Sequence, residues 1–366
     1  MNKIKSSIIN KINKNNGYIT IDQFIETAMY DKNCGYYIKR NPIGKNGDFI
    51  TAPEISQIFG ELIGLYIFDY WKNYINKSFN LIELGPGKGT LLKDLLRISS
   101  NFVDYTNQIN LKLIEKNLFL TKFQKKILKN ESLNLESVTW KKNINNIGNK
   151  KSIFLANEIF DCFPIKQIFK TRKDYFEIIV KYNSKTNSFF LDKTKATCSK
   201  KILYEIDNIY KKNSFKDGSI IEISSALNNY VEKISKILLR NNGLLILIDY
   251  GNNKPTGQST IRSLFKHKHT KIFDNPGNQD LTFMIDFSYL IKKFSKKKLN
   301  VYGPFSQRDF LISLGIKKRK NQILKNASID QKLSIETEVD RLINIKQMGK
   351  LFKVLLVSSP RMKNYE

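Results

Sequence analysis

The sequence predicts an α/β protein whose core is a doubly wound, mainly parallel sheet. Strand-like apolar segments alternate along the chain with amphipathic helical segments. The strand patterns lie at 79–85, 109–115, 152–158 and 243–251, and the helical patterns lie at 89–98, 118–128 and 226–239. This alternation is typical of parallel sheets that are covered by helices on both faces.

The rest of the chain extends this core in several places. Residues 1–75 show helical spacing of apolar residues and predict a helical N-terminal segment that also forms a lid. Between 165 and 217 the apolar period changes to two, which predicts an inserted antiparallel β region. The core therefore consists of 76–164 and 218–366, and the strand pattern at 351–359 is expected at a sheet edge.

Length and composition exclude several classes of protein. The chain has 366 residues, of which 41% are hydrophobic and 12% aromatic, so it can bury a large core and is neither disordered nor collagenous. The longest apolar run, within 243–251, has the length of a strand, well short of the ~18 residues of a membrane-spanning helix. We therefore expect a globular protein without membrane insertion.

The charge is strongly basic, with 62 Lys and Arg against 33 Asp and Glu and a net charge of +29. Nine of the 62 basic residues are Arg, and the Lys residues are scattered among abundant Asn and Ile. Proteins that bind phosphates and bases usually use the bidentate fork of Arg as well. We attribute most of the charge to AT-rich codon usage and expect no nucleic-acid partner.

Cysteine and histidine are too few for the usual zinc sites. Cys34, Cys162 and Cys198 are widely spaced, and His267 and His269 lie together in a Lys-rich stretch. We predict no metal site, reduced thiols and solvated histidines. The N-terminal residues lack the apolar core of a secretory signal and the Arg content of a mitochondrial one. The expected location is cytoplasmic, or the mitochondrial matrix only in a eukaryote.

The most informative segment is LIELGPGKGTLL, a glycine-rich turn between a strand and a helix. Gly85, Gly87 and Gly89 let the backbone approach a ligand, and the helix N-terminus favours anionic groups. A dinucleotide fingerprint would need glycine directly after Gly89, where Thr90 stands. A phosphate-binding loop would need Ser or Thr after Lys88, where Gly89 stands. Neither nucleotide class fits.

Two acidic residues complete a different pattern, that of S-adenosylmethionine binding. Glu83 ends the first strand and would orient the glycine turn and the methionine ammonium group. Glu115 ends the next strand and would accept hydrogen bonds from the ribose hydroxyls. The alternative is a tight strand–helix turn beside two exposed acids, but the register of the second acid favours the cofactor. The predicted fold is then a Rossmann-like class I methyltransferase sheet.

These segments, with others in a fixed order, resemble the MidA-like S-adenosylmethionine-dependent methyltransferases. The resemblance covers the chain from about residue 16 to its end. The shared motifs are GYY, GDFITAPEISQIFGE, IELGPGKGTL, ANEIFDCFPI, IDYG, PGNQDLTFMIDF, SQRDFLISLGI and MGKLFKVL. Mitochondrial members of this family include an arginine methyltransferase that acts as an assembly factor for respiratory complex I.

The resemblance implies a methyltransferase that modifies an arginine of a partner protein, such as a core subunit of the respiratory NADH:quinone oxidoreductase. The family usually has a His in the segment where Phe283 and Met284 stand, so no role of that His is transferred. The insertion at 165–217 matches weakly and is expected on the substrate side. The sequence leaves the oligomeric state open, with a homodimer as one alternative.

The segment ANEIFDCFP is predicted to hold the methyl acceptor. Asn157 and Glu158 end a strand and Asp161 follows three residues later, so they belong to the carboxyl edge, where doubly wound sheets bind ligands. Two carboxylates suit an arginine guanidinium, which is always charged and presents a planar fork of donors. The alternative is that Glu158 and Asp161 cap the following helix. The resemblance favours the catalytic interpretation.

Other polar residues have two interpretations each. Asp48, Thr51 and Glu54 in GDFITAPEIS either cap the following helix or belong to a lid over the cofactor. We assign Thr51 to the cofactor site. Asp280 and Asp286 are interpreted as helix caps.

Three functions compete. The first is an S-adenosylmethionine-dependent protein arginine methyltransferase. The second, a non-catalytic binding or assembly protein on the same fold, is opposed by the intact glycine turn and its two acids. The third, a nucleic-acid methyltransferase, is favoured by the charge. It is opposed by the low Arg content and by Glu158, which stands where enzymes that methylate bases commonly have proline.

Overall fold

The computed structural model describes residues 3–39, 44, 47–130, 138–195, 200–210 and 215–361, so Cys198 lies outside the described residues. The described strands are β1 (Ile19–Thr20), β2 (Phe79–Leu84), β3 (Ile109–Ile114), β4 (Val138–Lys141), β5 (Ser152–Asn157), β6 (Lys166–Lys170), β7 (Tyr175–Asn183), β8 (Ser188–Lys195), β9 (Ile220–Ile223), β10 (Gly243–Asn252), β11 (Arg262–Phe265), β12 (Lys268–Thr270), β13 (Asp280–Thr282), β14 (Ile285–Asp286), β15 (Asn300–Ser306) and β16 (Phe352–Ser358).

The described helices are α1 (Lys3–Lys14), α2 (Ile21–Tyr30), α3 (Tyr36–Lys39), α4 (Ala52–Ile55), α5 (Gln57–Tyr70), α6 (Thr90–Ser99), α7 (Val103–Thr106), α8 (Leu118–Asn130), α9 (Lys200–Ile209), α10 (Ser225–Asn241), α11 (Phe287–Lys296), α12 (Gln307–Ser313), α13 (Ile316–Leu324), α14 (Ile329–Ile343) and α15 (Met348–Leu351). A π-helical segment, Trp71–Ile75, follows α5, and a 3-10 turn, Phe160–Cys162, follows β5. Across the described part of the chain, we find no helix with the length and apolar character needed to cross a membrane.

The main sheet has the strand order β15-β16-β10-β5-β2-β3-β4, with β14 beside the end of β10. The strands β10, β5, β2, β3 and β4 run parallel to one another. β16 runs antiparallel to both of its neighbours, β10 and β15. The predicted α/β class, a mainly parallel sheet preceded by a helical N-terminal segment, is confirmed.

Both faces of the main sheet are buried, as the doubly wound prediction requires. On β2, Leu81 packs into a cluster with Phe59 of α5 and Leu92 of α6. The next residue, Ile82, packs into a cluster on the other face with Phe24 of α2. Because side chains alternate between the faces of a strand, burial on both faces requires an uninterrupted apolar run. This explains why the strands could be recognised in the sequence.

The prediction for the C-terminal strand is wrong. β16 does not lie at the edge of the main sheet, because β15 pairs with its outer side. The sequence analysis missed β15, whose segment NVYGPFS contains Gly303 and Pro304 and whose pairing shifts between Tyr302 and Phe305. Glycine, proline and a bulge interrupt the alternation by which a strand is recognised, and proline is tolerated at a sheet edge.

A second, antiparallel sheet has the order β1-β7-β6-β9, with β8 paired to β7. β6, β7 and β8 come from the predicted insertion at 165–217, and they pair antiparallel. The sheet also takes in β1 from the N-terminal segment and β9, which follows the insertion. The antiparallel region is therefore larger than the segment recognised in the sequence, and it ties the N-terminal helices to the core.

A small third sheet, β12-β11-β13, carries the two histidines. His267 and His269 are both exposed on the hairpin that joins β11 to β12, which confirms their predicted solvation. Cys34 and Cys162 are free thiols, and both are buried, which the sequence did not predict. In the described ranges, no group of three or more His, Cys, Asp and Glu residues is arranged to hold a metal ion.

Candidate functional site

The strand order places the predicted site residues around one point of the main sheet. From β2 the chain moves outward through β3 and β4 and then returns to β5 on the other side of β2. The topological switch point therefore lies between β2 and β5, at the ends of which stand Gly85 and Glu158. Ligands of doubly wound sheets bind in the crevice beyond the carboxyl ends of the strands at this point.

The glycine turn between β2 and α6 has a left-handed backbone. Gly85, Gly87 and Gly89 have φ angles of +61°, +57° and +89°. L-residues rarely adopt these angles, so glycine is needed at each position. A Cβ added to Gly85 would lie 2.6 Å from Cδ1 of Ile159. At its three glycines the turn thus exposes backbone before the N-terminus of α6, where a ligand can approach closely.

Glu83 is buried in β2 with an unsatisfied carboxylate oxygen. Its side chain is 4% exposed, and Oε2 has no hydrogen-bond partner among the described residues. Burial, and then the nearby charge of Glu115, raise the pKa of Glu83 to about 8. A buried carboxylate oxygen without a partner is costly, and an ammonium group would stabilise it. This atom fits the amino group of a methionine-like ligand.

Glu115, directly after β3, is half-buried and held in place. Its Oε1 accepts the backbone N–H of Asn117 at 2.7 Å, and its Oε2 accepts Nε2 of Gln124 at 3.2 Å. Burial raises the pKa of Glu115. Neither Glu83 nor Glu115 is an exposed surface acid, so the alternative of a turn with two exposed acids is wrong.

Gln124 of α8 belongs to this site and was not predicted. It is fully buried, and its Nε2 donates to the carbonyl oxygen of Gly87 at 2.8 Å and to Glu115. Its Oε1 accepts Nε1 of Trp140 at 3.0 Å. The sequence carried one signal, because Gln124 interrupts an apolar row of Leu120 and Leu128 at helical spacing. A buried polar residue at such a position requires partners.

Glu158 contacts the start of α4. Its backbone is left-handed, with φ of +51°, and its Oε1 accepts the backbone N–H of Ala52, the first residue of α4, at 2.9 Å. Nδ2 of Asn157 also donates to Oε1 at 3.2 Å. Burial is the main cause that raises the pKa of Glu158 to about 7. Oδ1 of Asn157 is buried and lacks a hydrogen-bond partner among the described residues.

Asp249, inside β10, performs the capping role that the sequence analysis gave as the alternative for Glu158 and Asp161. Its Oδ2 accepts the backbone N–H groups of Phe160 at 2.8 Å and Asp161 at 3.3 Å. The alternative that Glu158 and Asp161 cap the following turn is therefore wrong. Asp161 is 6% exposed, and burial, then the charges of Asp249 and Asp280, raise its pKa well above the usual range.

The short helix α4 contacts the glycine turn through Glu54. Its carboxylate forms an ion pair with Nζ of Lys88 at 3.1 Å and accepts a short hydrogen bond from Oγ1 of Thr90. Thr51 occupies the N-cap position of α4, but its side chain makes no capping hydrogen bond. The structure therefore brings α4 against the glycine turn. The hydroxyl of Thr51 does not cap α4, so the capping interpretation of Thr51 is wrong.

Asp48 fixes the chain just before α4 through its two carboxylate oxygens. Its Oδ2 accepts the hydroxyl of Tyr36 at 2.8 Å, and its Oδ1 accepts the backbone N–H of Lys266 at 2.8 Å. It caps no helix. Asp48 thus connects α3 to the hairpin of the third sheet across 218 residues of sequence.

The two acids interpreted as caps differ. Asp286 caps α11, because its Oδ1 accepts the backbone N–H of Tyr289 at 3.2 Å. Asp280 caps nothing, so that prediction is wrong. It lies in β13, and its Oδ1 accepts the hydroxyl of Tyr37 at 2.8 Å. Burial raises the pKa of Asp280 to about 7.

The raised carboxyl pKa values predict how stability changes with pH. Between about pH 4.5 and 8, native Glu83 binds a proton that unfolded Glu83 has lost, so the free energy of unfolding falls as pH rises through this window. We expect the urea midpoint to fall between pH 6 and pH 8. Each such proton contributes up to about 1.4 kcal/mol per pH unit.

Glu83→Gln is the control for this pH dependence. Glutamine keeps the size of the side chain but does not ionise, so we expect a flatter slope in urea unfolding at pH 6, 7 and 8. An identical slope in Glu83→Gln and the parent would contradict the raised pKa of Glu83.

A glycine turn after the parallel strand at the switch point, with an acid on that strand and another after its neighbour, is the arrangement of class I S-adenosylmethionine-dependent methyltransferases. The chain belongs to the family described as "Putative S-adenosyl-L-methionine-dependent methyltransferase", whose model matches residues 62–305. The protein is therefore a methyltransferase, and its cofactor is S-adenosylmethionine. The MidA-like resemblance is confirmed.

Curated relatives and solved structures agree with this assignment. The chain is 30% identical to mouse "Protein arginine methyltransferase NDUFAF7, mitochondrial" over 93% of this chain and 80% of the relative. It is 29% identical to the human protein of the same name, over the same shares. A crystal structure of a COG1565 superfamily member from Burkholderia thailandensis, bound to S-adenosyl-homocysteine, has a TM-score of 0.82 at 22% identity and covers 97% of this chain and 91% of its own. That structure shares the fold.

Proposed function

We propose that this methyltransferase modifies an arginine side chain of a partner protein. The observation that carries the proposal is the pair of carboxylates, Glu158 and Asp161, at the switch point beside the glycine turn. Burial raises the pKa of both groups, so each favours a cationic partner in its ionised form. The names of the mouse and human relatives, both protein arginine methyltransferases, support the same acceptor.

The cofactor is proposed to bind between the glycine turn and α4. Gly85, Gly87 and Gly89 would contact the cofactor through their backbone. Oε2 of Glu83 would accept a hydrogen bond from its ammonium group. Glu115 would accept hydrogen bonds from the ribose hydroxyls, and Thr51 would contact the cofactor from the side of α4. When bound, the cofactor supplies a methyl group activated by a sulfonium.

The acceptor nitrogen is proposed to be positioned by residues after β5. The guanidinium is a planar fork, and Glu158 and Asp161 would each accept hydrogen bonds from a different nitrogen. Oδ1 of Asn157, which is buried and has no partner in the described ranges, would accept a further N–H. Fixing the fork concentrates positive charge near the carboxylates and leaves one nitrogen aligned for attack.

We expect Glu115→Ala to weaken S-adenosylmethionine binding by about 1–3 kcal/mol, which is the range for a lost hydrogen bond to a charged group. Asn117 and Gln124 also lose an acceptor, so a slightly lower melting temperature is expected. Isothermal calorimetry measures the affinity, and Asp104→Ala on the surface of α7 is the control. An unchanged affinity in folded Glu115→Ala would remove Glu115 from the cofactor site.

The acceptor can be tested with labelled S-adenosylmethionine and an extract of cells that lack this gene. We expect the label in one protein band and, after acid hydrolysis, in methylarginine. Label in RNA, or in another amino acid, would contradict the proposal. Three further points stay predictions: the respiratory core subunit as acceptor, a homodimer and a cytoplasmic location. The labelled band identifies the acceptor directly.

A further inference from the structure

Four side chains form a continuous chain of hydrogen bonds that begins at the proposed guanidinium site. The thiol of Cys162 donates to Oδ1 of Asp161 at 3.2 Å, and its Sγ lies 3.1 Å from the hydroxyl oxygen of Tyr37. The Tyr37 hydroxyl donates in turn to Oδ1 of Asp280 at 2.8 Å. This series of hydrogen bonds leads from the turn after β5, through α3, to β13 of the third sheet.

Methylation of a guanidinium must release a proton. The N–C bond to the methyl group forms as the C–S bond breaks, and the bond electrons remain on sulfur. Two positive charges, on sulfonium and guanidinium, then become one on the methylguanidinium, so one N–H proton has to leave. Asp161 and Asp280 are each 6% exposed, so a side chain accepts the proton before it reaches bulk water.

We propose that Asp161 accepts this proton and that Cys162 and Tyr37 transfer it to Asp280. The proposal rests on the proposed arginine methylation. Before the reaction the thiol donates to Asp161. Once Asp161 is protonated, its carboxyl O–H donates to Sγ, the thiol S–H turns to the phenol oxygen, and the phenol O–H donates to Asp280. Cys162 and Tyr37 each give one proton and receive one, so the net change is a proton on Asp280, which water removes after the product leaves.

The transfer returns Asp161 to its charged form beside the product. Without it, the neutralised carboxyl group would no longer stabilise the methylguanidinium, which keeps one positive charge. With it, the negative charge that positions the substrate is present throughout the reaction, and the neutralised carboxyl group is Asp280.

The acid–base properties of three of the four groups fit these roles, and the charge of a bound guanidinium would offset the raised pKa of the fourth, Asp161. Burial raises the pKa values of the Cys162 thiol and the Tyr37 phenol well above their usual range, so both keep a proton to pass on. Burial also raises the pKa of Asp280 to about 7, so it can gain and lose a proton near neutral pH. The titratable groups that face these four from the surrounding elements are Asp249, Tyr250, Glu158, Asp48, Tyr30 and Tyr36.

Single turnovers test the transfer, with enzyme in excess over the extract from cells that lack this gene. Labelled methylarginine is measured against time in H₂O and in D₂O. We expect Tyr37→Phe and Cys162→Ala to slow its formation at least ~10-fold, a loss typical of proton-transfer groups. Cys162→Ser, which restores a donor and acceptor, should be faster than Cys162→Ala. Affinity for S-adenosylmethionine should match the parent.

The solvent isotope effect separates proton transfer from a merely structural role. If these side chains only position the acceptor, their loss slows methyl transfer, in which no exchangeable proton moves, and the isotope effect does not increase. If they carry the proton, its removal becomes limiting, and the isotope effect rises above that of the parent. Slow variants without this rise would overturn the proposal, as would variants with the parent rate.

Tyr30→Phe is the matched control. The Tyr30 hydroxyl donates to the backbone carbonyl of Cys162 at 2.8 Å, and its ring stacks on Tyr37, but it lies outside the chain of four. We expect Tyr30→Phe to keep the rate and isotope effect of the parent, and an equal defect in this variant would contradict the transfer. Absence of methylarginine with the parent enzyme would instead contradict the proposed function.

Discussion

Glu158→Gln is expected to lower arginine methylation at least ~10²-fold while cofactor affinity stays within about 0.5 kcal/mol of the parent. Glutamine keeps the shape of the side chain and an Oε1 that accepts the backbone N–H of Ala52, a contact of 2.9 Å in the parent. It removes the negative charge that would hold the guanidinium. Labelled methylarginine formation measures the first effect, and calorimetry measures the second.

A structural role of Glu158 predicts the opposite result. If its carboxylate only stabilises the start of α4, Glu158→Gln lowers the melting temperature, and turnover per folded molecule stays normal. Glu232→Gln is the control, because Glu232 is half-buried and paired with Lys297 on the surface of α10, away from the site. Normal turnover in a destabilised Glu158→Gln would remove Glu158 from the catalytic residues.

Gly87→Val is expected to abolish detectable cofactor binding, with a loss of at least ~10²-fold in affinity for S-adenosylmethionine and S-adenosylhomocysteine. Gly87 has φ of +57°, and valine is strained there. Its branched side chain would also occupy the space in which the cofactor approaches the backbone of the turn. Calorimetry with both ligands measures the loss, and NAD should bind neither the variant nor the parent.

Gly148→Val separates backbone strain from loss of the binding surface. Gly148 also has a left-handed φ, of +87°, but an added Cβ would have no atom within 4 Å. We expect this variant to be strained yet to bind the cofactor normally. Parent-like affinity in Gly87→Val would show that the glycine turn does not hold the cofactor.

The chain of four hydrogen-bonded side chains could not have been predicted from the sequence. Tyr37 is 125 positions from Cys162 and 243 positions from Asp280. Each residue alone has an ordinary interpretation, since Cys and Tyr are common in cores and Asp is a common helix cap. Their meeting depends on α3 lying against the third sheet, and no local pattern encodes that contact. The same holds for Asp249, whose capping partners lie 88 and 89 positions away.

The break between α4 and α5 was also decided by tertiary structure. The segment GDFITAPEISQIFGELIGLYIFDYW predicts a loop and one helix, but the structure divides the helix at Ser56, whose φ is −147°. The break directs α4 toward Glu158 and the glycine turn, where Glu54 binds Lys88. Contacts with distant residues stabilise this short helix, which propensity alone would not maintain.

The sequence by itself determined the parallel core, the glycine turn and the acids that follow the strands. Strands buried on both faces appear as continuous apolar runs, and a turn that needs left-handed φ requires glycine at fixed positions. Both signals depend on neighbouring residues, so they can be recognised in the sequence alone. Only the tertiary structure decided which acids cap a helix or turn, which are buried without a partner and which side chains are joined by hydrogen bonds. These properties depend on neighbours brought together by the sheet order, and burial sets the pKa of each carboxyl group through those neighbours.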